Sequence, residues 1–230
     1  GGQTAAVWSP DGKAVAFGAR QKDTDPFQIY VRYLDSPAAT QVTTLTGGVQ
    51  GVVEWTTAGK IVFYAANQLW SVSPVGGEPE PLAKSDSSGP KLQLVGSGSV
   101  SRDGTAVAAL CLGKDGVINI WTAASSGSGL KPYAPAPFAT RSTFNAPAVG
   151  FSPDGKQILM VRNAGAGEEA WLMPYPASAA NPPRQILQGM LNFSGTPTFS
   201  WMPDNRHVVL SASPGAAPRQ LYLADTITGV

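Results

Sequence analysis

Trp8-Ser9-Pro10-Asp11-Gly12-Lys13 is the stretch that decides the fold, because variants of it occur five times in the chain. Pro10 and Asp11 suit the two central positions of a type I turn, and Gly12 supplies the left-handed residue of a three-residue hairpin loop. Each copy therefore predicts a turn between two antiparallel strands. The other copies are Trp55-Thr56-Thr57-Ala58-Gly59-Lys60, Val100-Ser101-Arg102-Asp103-Gly104-Thr105, Phe151-Ser152-Pro153-Asp154-Gly155-Lys156 and Trp201-Met202-Pro203-Asp204-Asn205-Arg206.

The fifth copy and the strand patterns support this interpretation. Asn205 replaces the turn glycine, and asparagine is the residue that best tolerates the left-handed region after glycine. After the first turn, Val15 and Phe17 alternate with other residues, and Val208 and Leu210 do so after the fifth. Alternation at period two predicts a strand with one face toward a core.

The spacing of the turns predicts a β-propeller of four-stranded antiparallel blades. The turn residues Gly12, Gly59, Gly104, Gly155 and Asn205 are separated by 47, 45, 51 and 50 residues. A repeat of roughly 40–50 residues with four strands is typical of propellers. The predicted blades, all in one domain over 1–230, are residues 4–45, 50–84, 94–134, 145–189 and 196–230.

The fifth predicted blade has no fourth strand. We therefore expect the chain to be a segment of a six- or seven-bladed propeller, and a self-contained ring of five blades is the alternative. An open edge of a sheet pairs readily with another chain, so self-association through this blade is a further expectation.

Composition narrows the classes of partner. Charged residues make up 13% of the chain, the net charge is +1, and lysine and arginine are scattered, which argues against a nucleic-acid partner. No apolar run approaches the roughly 18 residues of a membrane-spanning helix, so no membrane insertion is expected. The single cysteine, Cys111, excludes an internal disulfide and is predicted to be a buried, unreactive thiol.

The repeated Phe/Trp-Ser-Pro-Asp-Gly-Lys motif, with its following Val/Ile-rich and Ile-Tyr or Leu-Trp strands, resembles the WD-like propeller repeat of TolB and its bacterial relatives. The resemblance covers essentially the whole chain and is weakest in the second and third copies, where Thr57 and Arg102 replace proline. It implies a propeller fold. It leaves three settings open: periplasmic TolB, extracytoplasmic sensors attached to protein kinases, and propellers that gate prolyl-oligopeptidase-type hydrolases.

No residue set predicts a catalytic or metal centre. His207 is the only histidine and is interpreted as a strand surface residue, and no Gly-x-Ser-x-Gly elbow or Cys/His cluster occurs. Glu54 is the one acidic residue among the positions expected to line the channel, too few for a hard cation. The turn aspartates are interpreted as structural. We therefore predict no catalytic residue, no metal and no cofactor.

The aromatic residues that recur at fixed offsets from the turns are interpreted as packing between adjacent blades and not as a stacking surface for ligands. If its ring were buried, Trp8→Ala would cost on the order of 3–5 kcal/mol. The tryptophans in this set are Trp8, Trp55, Trp70, Trp121, Trp171 and Trp201.

These observations favour a non-catalytic binding or sensing module for a protein, peptide or envelope ligand, in a periplasmic or extracytoplasmic location, with a cytoplasmic one as the alternative. We expect contacts on the loops between second and third strands and at the channel mouth. The alternative is a propeller that regulates a kinase or hydrolase encoded outside this chain. The candidate ligand-binding residues are Glu54, Lys22, Asp23, Asp25 and Glu168.

Overall fold

The computed structural model has an all-β fold of the β-propeller class. It describes residues 6–66, 68–82, 93–112, 118–124, 129–133, 135, 148–163, 168–188, 198–213 and 218–229. Within those ranges the regular structure consists of 19 strands.

The strands form five antiparallel sheets, which we call blades one to five in chain order. In each blade the strands are hydrogen-bonded in sequence order, and the fifth has three strands among the described residues where the others have four. Blade one has β1 (Val7–Trp8), β2 (Ala14–Ala19), β3 (Gln28–Tyr33) and β4 (Thr40–Gln41). Blade two has β5 (Gly51–Trp55), β6 (Ile61–Ala65), β7 (Gln68–Val72) and β8 (Glu80–Pro81). Blade three has β9 (Gln93–Val100), β10 (Ala106–Leu112), β11 (Ile118–Ala124) and β12 (Lys131–Pro132). Blade four has β13 (Ala148–Phe151), β14 (Gln157–Asn163), β15 (Glu168–Pro174) and β16 (Arg184–Ile186), and blade five has β17 (Thr198–Trp201), β18 (His207–Ala212) and β19 (Gln220–Asp225).

All five tight turns have the predicted conformation, with a left-handed residue after the central pair. Gly12 has φ of 71°, and Asn205, the one turn residue that carries a side chain at this position, has φ of 58°. Gly12 also donates its backbone N–H to the Ser9 carbonyl at 2.9 Å, which closes the turn. The repeated motif therefore forms the same hairpin each time.

The chain divides into two compact units. The first contains blades one and two, whose facing sides bury Ile29 and Val31 of β3 against Trp55 of β5 and Phe63 of β6. The second contains blades four and five and most of blade three. Its core lies where β14 and β15 meet β18, with large side chains such as Leu159 and Leu210 fully buried.

The prediction that every recurring tryptophan is core is wrong for Trp8. Its side chain is 60% exposed, whereas Trp55 at the equivalent position in blade two is 5% exposed. Val7 packs against the core shared with blade two. Because successive side chains of a strand point to opposite faces, Trp8 points away from that core. The equivalent Trp201 instead faces blade four and packs on its core.

Candidate functional site

The aspartates of the turns bind the backbone of their own turns, as the sequence predicts. Asp11 accepts hydrogen bonds from the Ser9 hydroxyl at 2.6 Å and from the Lys13 N–H at 3.1 Å, and these lower the pKa of its carboxyl. The carboxylates are therefore engaged in turn structure. The same contact to the backbone N–H two residues later joins Asp103 to Thr105, Asp154 to Lys156 and Asp204 to Arg206.

Turns of adjacent blades are tied together within each unit. In the first unit, which also includes Arg102–Val107 of blade three, Thr57 donates its backbone N–H to the Arg102 carbonyl at 2.7 Å. In the second, Asp154 donates its backbone N–H to the Asn205 side-chain oxygen at 2.7 Å. The turns are therefore linked pairs, which suits this end of each unit to a rigid supporting role.

Glu54 lies on β5, directly before the buried Trp55, where the pairing with β6 is interrupted by a β-bulge between Val52 and Glu54. Its side chain is half-buried. Burial raises the pKa of its carboxyl to about 7, although the positive charge of Arg102 acts in the opposite direction. A carboxyl in this state changes its protonation near neutral pH and responds to a nearby cation.

Lys22, Asp23 and Asp25 lie together in the loop between β2 and β3. The Lys22 N–H donates to the Asp25 carboxylate at 3.0 Å, and Asp23 pairs with Arg20 at 3.0 Å. Arg20 in turn lies over the Phe27 ring, 5.0 Å from its centroid. The loop is thus an ordered turn whose exposed Lys22 and Asp23 point to solvent. Within the described residues, no hydrogen bond or ion pair links it to Glu54.

Glu168 is the first residue of β15, at the end of blade four that receives the loop from β14. It is half-buried, and burial raises the pKa of its carboxyl to about 7. The exposed Arg219, which precedes β19 in blade five, favours the ionised form but does not offset the burial. Ionisation of the Glu168 carboxyl therefore costs free energy in the folded protein. The carboxyl is partly exposed to solvent and lies at the end of the blade where ligand contacts are predicted.

Sequence reasoning missed a charged cluster beside Glu168. Arg162 of β14 and Glu169 of β15 are cross-strand partners whose side chains pair at 2.8 Å. The Trp171 indole N–H donates to the same carboxylate at 2.8 Å, and the Arg162 guanidinium lies 5.8 Å from the Trp171 ring centroid. Hydrogen bonds from these two partners lower the pKa of Glu169 against the effect of burial. Glu169 and Trp171 share a face because they lie two residues apart on β15, and the register of β14 against β15 adds Arg162 to them.

The pKa values of the adjacent residues Glu168 and Glu169 are therefore shifted in opposite directions. Glu169 is paired within its own sheet, and its side chain is 25% exposed. Glu168 points to the opposite face of the strand and keeps a raised pKa. Of this pair, Glu168 is the carboxyl whose protonation state at neutral pH a nearby cation would change.

His207 lies at the start of β18, as expected for a strand surface residue, and its side chain is 31% exposed. Its Nδ1 is 2.5 Å from the Asp204 carboxylate, and this contact is the main cause that lowers the pKa of Asp204 to about 2. Arg206 pairs with Asp225 on the neighbouring strand. These contacts join the polar side chains of the fifth turn to β18 and to the end of β19.

Metal-binding clusters and membrane-spanning helices are both absent from the described part of the chain. No group of three or more histidine, cysteine, aspartate or glutamate side chains is placed to hold a metal ion there. The described ranges also contain no helix with the length and apolar character needed to cross a membrane. Cys111 is fully buried, and burial raises the pKa of its thiol to about 12, which agrees with the predicted inert role.

Comparison with known proteins finds similarity of structure and not of sequence. No protein-family model and no curated protein matches the chain. TolB from Acinetobacter baumannii aligns with a TM-score of 0.70 and 19% identity, over 99% of this chain and 53% of that one. This chain therefore spans about half the length of that TolB.

Two further solved structures agree. The putative TolB from Agrobacterium tumefaciens aligns with a TM-score of 0.67 and 17% identity, over 97% of this chain and 76% of that one. The β-propeller domain of the Trilobed protease from Pyrococcus furiosus aligns with a TM-score of 0.61 and 13% identity, over 97% and 67% respectively. At these identities the likeness establishes the propeller fold.

Proposed function

We propose that this chain is a non-catalytic binding module that recognises a protein or peptide through the loops between second and third strands. The observation that carries the proposal is the environment of the Glu168 carboxyl. Its carboxyl sits at the end of blade four, half-buried, with a pKa raised to about 7. A Lys or Arg side chain, or a peptide amino terminus, placed there would stabilise the ionised form through a charge-assisted hydrogen bond.

The loop between β2 and β3 supports the same role in the first unit. It presents Lys22 and Asp23 to solvent while its own backbone is held by the Asp25 carboxylate. A loop that is already ordered loses little conformational entropy on binding. Glu54 lies near the β5–β6 turn, away from these loops, and its pKa is also raised; it is proposed as a separate contact for a basic group.

Selection of a phage-displayed peptide library on the immobilised chain tests this function. We expect enriched peptides to carry a basic residue and to bind Glu168→Gln at least about tenfold more weakly than the original chain. Glu78→Gln is the matched control, because Glu78 is an exposed carboxylate in a loop of the first unit. Failure to enrich any peptide, or equal binding by Glu168→Gln and the original chain, would contradict the proposal.

A second candidate is a regulatory propeller of a larger enzyme. The observation that favours it is the similarity to the propeller domain of a protease. The coding sequence on either side of this chain is the test. A Gly-x-Ser-x-Gly elbow or a kinase catalytic loop there would support this second function, and their absence on both sides would exclude it.

We also propose a periplasmic or extracytoplasmic location in a bacterium. Support comes from the resemblance of the repeat to TolB and from the likeness of fold to two TolB structures. Fractionation of the native cell with an antibody to this chain tests the location. Recovery with cytoplasmic markers would favour the alternative.

A further inference from the structure

Arg20, which directly follows β2 in blade one, is a largely buried cation with one weak partner. Its side chain is 27% exposed, and its guanidinium lies over the Phe27 ring, 5.0 Å from the centroid. Among the described residues, its one hydrogen bond runs from Nη2 to the Asp23 carboxylate at 3.0 Å. Most of the N–H donors of the guanidinium are therefore left to water or to a ligand.

The aromatic ring beneath Arg20 is fixed by contacts of its own. The Phe27 carbonyl accepts the Val49 N–H at 2.8 Å, and the Phe27 side chain packs against the core shared by blades one and two. The linker between these blades also fits closely against the loop, because a Cβ on Gly48 would be 2.8 Å from the Pro26 Cβ. The guanidinium therefore rests on an ordered support before any ligand arrives, which lowers the entropy cost of binding.

Asp23 is poorly held by comparison. Its side chain is 98% exposed, and an ion pair so open to water contributes little to stability, because water screens the charges. The turn does not depend on this pair. The Lys22 N–H donates to the Asp25 carboxylate at 3.0 Å, and the Asp25 N–H donates to the Lys22 carbonyl at 3.0 Å. Asp23 can therefore leave Arg20 while the loop keeps its shape.

The Arg20 guanidinium lies on the side of blade one that faces blade two. Phe27 packs on the core between these two blades, and Arg20 covers its ring. Arg32, the other arginine of blade one, lies on the opposite face of the sheet. It follows Val31, whose side chain is buried in that core, and successive side chains of a strand point to opposite faces. The opening around Arg20 therefore belongs to an interface whose two blades are both in place.

We propose that Arg20 binds a carboxylate of a peptide or protein ligand, and that Asp23 holds this place in the free chain. The ligand carboxylate accepts two parallel N–H bonds from the guanidinium, which bind more strongly than the single bond to Asp23. Lys22, exposed in the same turn, adds a second positive charge once Asp23 has moved away. The proposal rests on the binding role proposed above for the loop between β2 and β3, and it names the chemistry that this loop recognises.

A carboxylate suits this loop better than a phosphate. Asp23 already places a carboxylate against the Arg20 guanidinium. Asp25 stays in the turn, bound to the Lys22 N–H, and its negative charge repels a doubly charged anion more than a singly charged one. The carboxylate belongs either to an acidic side chain of the ligand or to its C-terminus, and the experiment below separates these two sources.

Titration of the whole chain with short peptides, followed by NMR, tests the proposal. The first probe is Gly-Gly-Glu-Gly-Gly with both ends blocked. We expect it to shift the Arg20 Nε–Hε resonance and the backbone amides of residues 21–25 in a saturable way. The second probe has glutamine in place of glutamate and should give no saturable shift. The third is the glutamine peptide with a free C-terminal carboxylate, and its affinity relative to the first probe identifies which source of carboxylate is preferred.

Two variants of the chain distinguish a binding site from a structural ion pair. Asp23→Asn removes the internal competitor and should strengthen binding of the carboxylate peptide by about two- to fivefold. Arg20→Lys keeps the positive charge but loses the paired donors, and it should weaken binding by about fivefold or more. The amide shifts of residues 21–25 measure the affinity of both variants. Circular dichroism and a thermal melt establish that both are folded.

Each variant has a matched control in the same blade. Asp35→Asn changes the net charge as Asp23→Asn does, but Asp35 is an exposed residue of the turn after β3, at the other end of blade one. Arg32→Lys makes the same exchange as Arg20→Lys on the opposite face of the sheet. Both controls should leave the affinity for the carboxylate peptide unchanged.

Three results would overturn the proposal. One is equal behaviour of the blocked glutamate and glutamine peptides, or no saturable shift with either carboxylate peptide. Another is unchanged or weaker binding by Asp23→Asn, since Asp23 would then position Arg20 and not compete for it. The third is tighter binding of inorganic phosphate than of both carboxylate peptides at the same resonances. None of these results touches the binding of basic peptides at Glu168, so the function proposed above keeps its own test.

Discussion

Gly150 of β13 lies directly against the ring of Phe199 on β17. A Cβ built on Gly150 would be 2.6 Å from the Phe199 Cε2 atom and 2.8 Å from Cζ. The first strands of blades four and five therefore approach so closely that one of them has no room for a side chain. Ser99 and Ser200, also small, hold the equivalent position in blades three and five. At Gly150, crowding between blades four and five is the reason for the small residue.

Gly150→Ala should destabilise the protein by about 1–3 kcal/mol, because the added methyl must displace an aromatic ring in a packed interface. Denaturant unfolding followed by tryptophan fluorescence measures the change. Gly51→Ala is the matched control, since Gly51 is also a glycine of a first strand and has nothing within 4 Å of an added Cβ. Equal effects of the two substitutions would contradict this account.

Trp8→Ala and Trp55→Ala should differ sharply in stability although both residues occupy the same place in the repeat. Trp55 is 5% exposed and its loss should cost about 3–5 kcal/mol. Trp8 is 60% exposed, and its loss should cost less than about 1 kcal/mol. Chemical unfolding of both variants measures the loss of unfolding free energy in each. A large loss for Trp8→Ala would show that its ring is covered in solution.

Asn205 has a conformational and a hydrogen-bonding role in the fifth turn. Its φ is 58°, and its side-chain oxygen accepts the Asp154 N–H. Asn205→Ala loses both features and should lower the free energy of unfolding by roughly 1–2 kcal/mol. Asn205→Gly keeps the left-handed conformation and should lower it by less. Thermal unfolding of the original chain and the two variants ranks their stabilities. Asn181→Ala, at an exposed loop position, should have no measurable effect.

Stability should fall as pH rises from about 4.5 to about 7, in part because of Glu54. Burial raises the pKa of Glu54 from 4.5 to about 7, so the folded state binds a proton that the unfolded state has already released. A folded-state pKa one pH unit above the unfolded value corresponds to about 1.4 kcal/mol, so the loss of stability from Glu54 is at most roughly 3 kcal/mol. Urea unfolding at pH 5 and pH 8 measures the slope.

Glu54→Gln isolates this contribution, because Glu168 has a pKa raised in the same direction. The variant should lose less stability than the original chain between pH 5 and pH 8. The same slope in both proteins would mean that Glu54 ionises at its ordinary pKa in the folded state.

Cys111 should be unreactive toward a thiol reagent in the folded protein and react once per chain after unfolding. Its side chain is fully buried and its thiol pKa is raised to about 12, so the thiolate is scarce and inaccessible. The absorbance of the chromophore that the reagent releases measures the extent of the reaction. Thr44→Cys places a second thiol at an exposed position and should react at once in the folded state. Rapid reaction of Cys111 itself would show that blade three opens readily.

The site was less predictable than the fold. The loop residues Lys22, Asp23 and Asp25 could be placed together because they are neighbours in sequence, and the structure holds them in one turn. The pairing of Arg162 with Glu169 depends on the register between β14 and β15, which loop length alone does not give. The raised pKa of Glu168 depends on which side of β15 blade five covers, and no local pattern encodes that.

Local sequence preferences were enough to establish the five hairpins, the order of strands within each blade and hence the propeller class. They consist of a left-handed residue at Gly12 and its equivalents, and of alternating apolar side chains along each strand. Which of the equivalent residues are buried was decided by the packing of one blade on another. Trp55 is covered and Trp8 is not, and Ile29 is covered while Leu221 is not. The reason is that burial depends on the neighbouring sheet, which the repeat, being the same in each blade, does not specify.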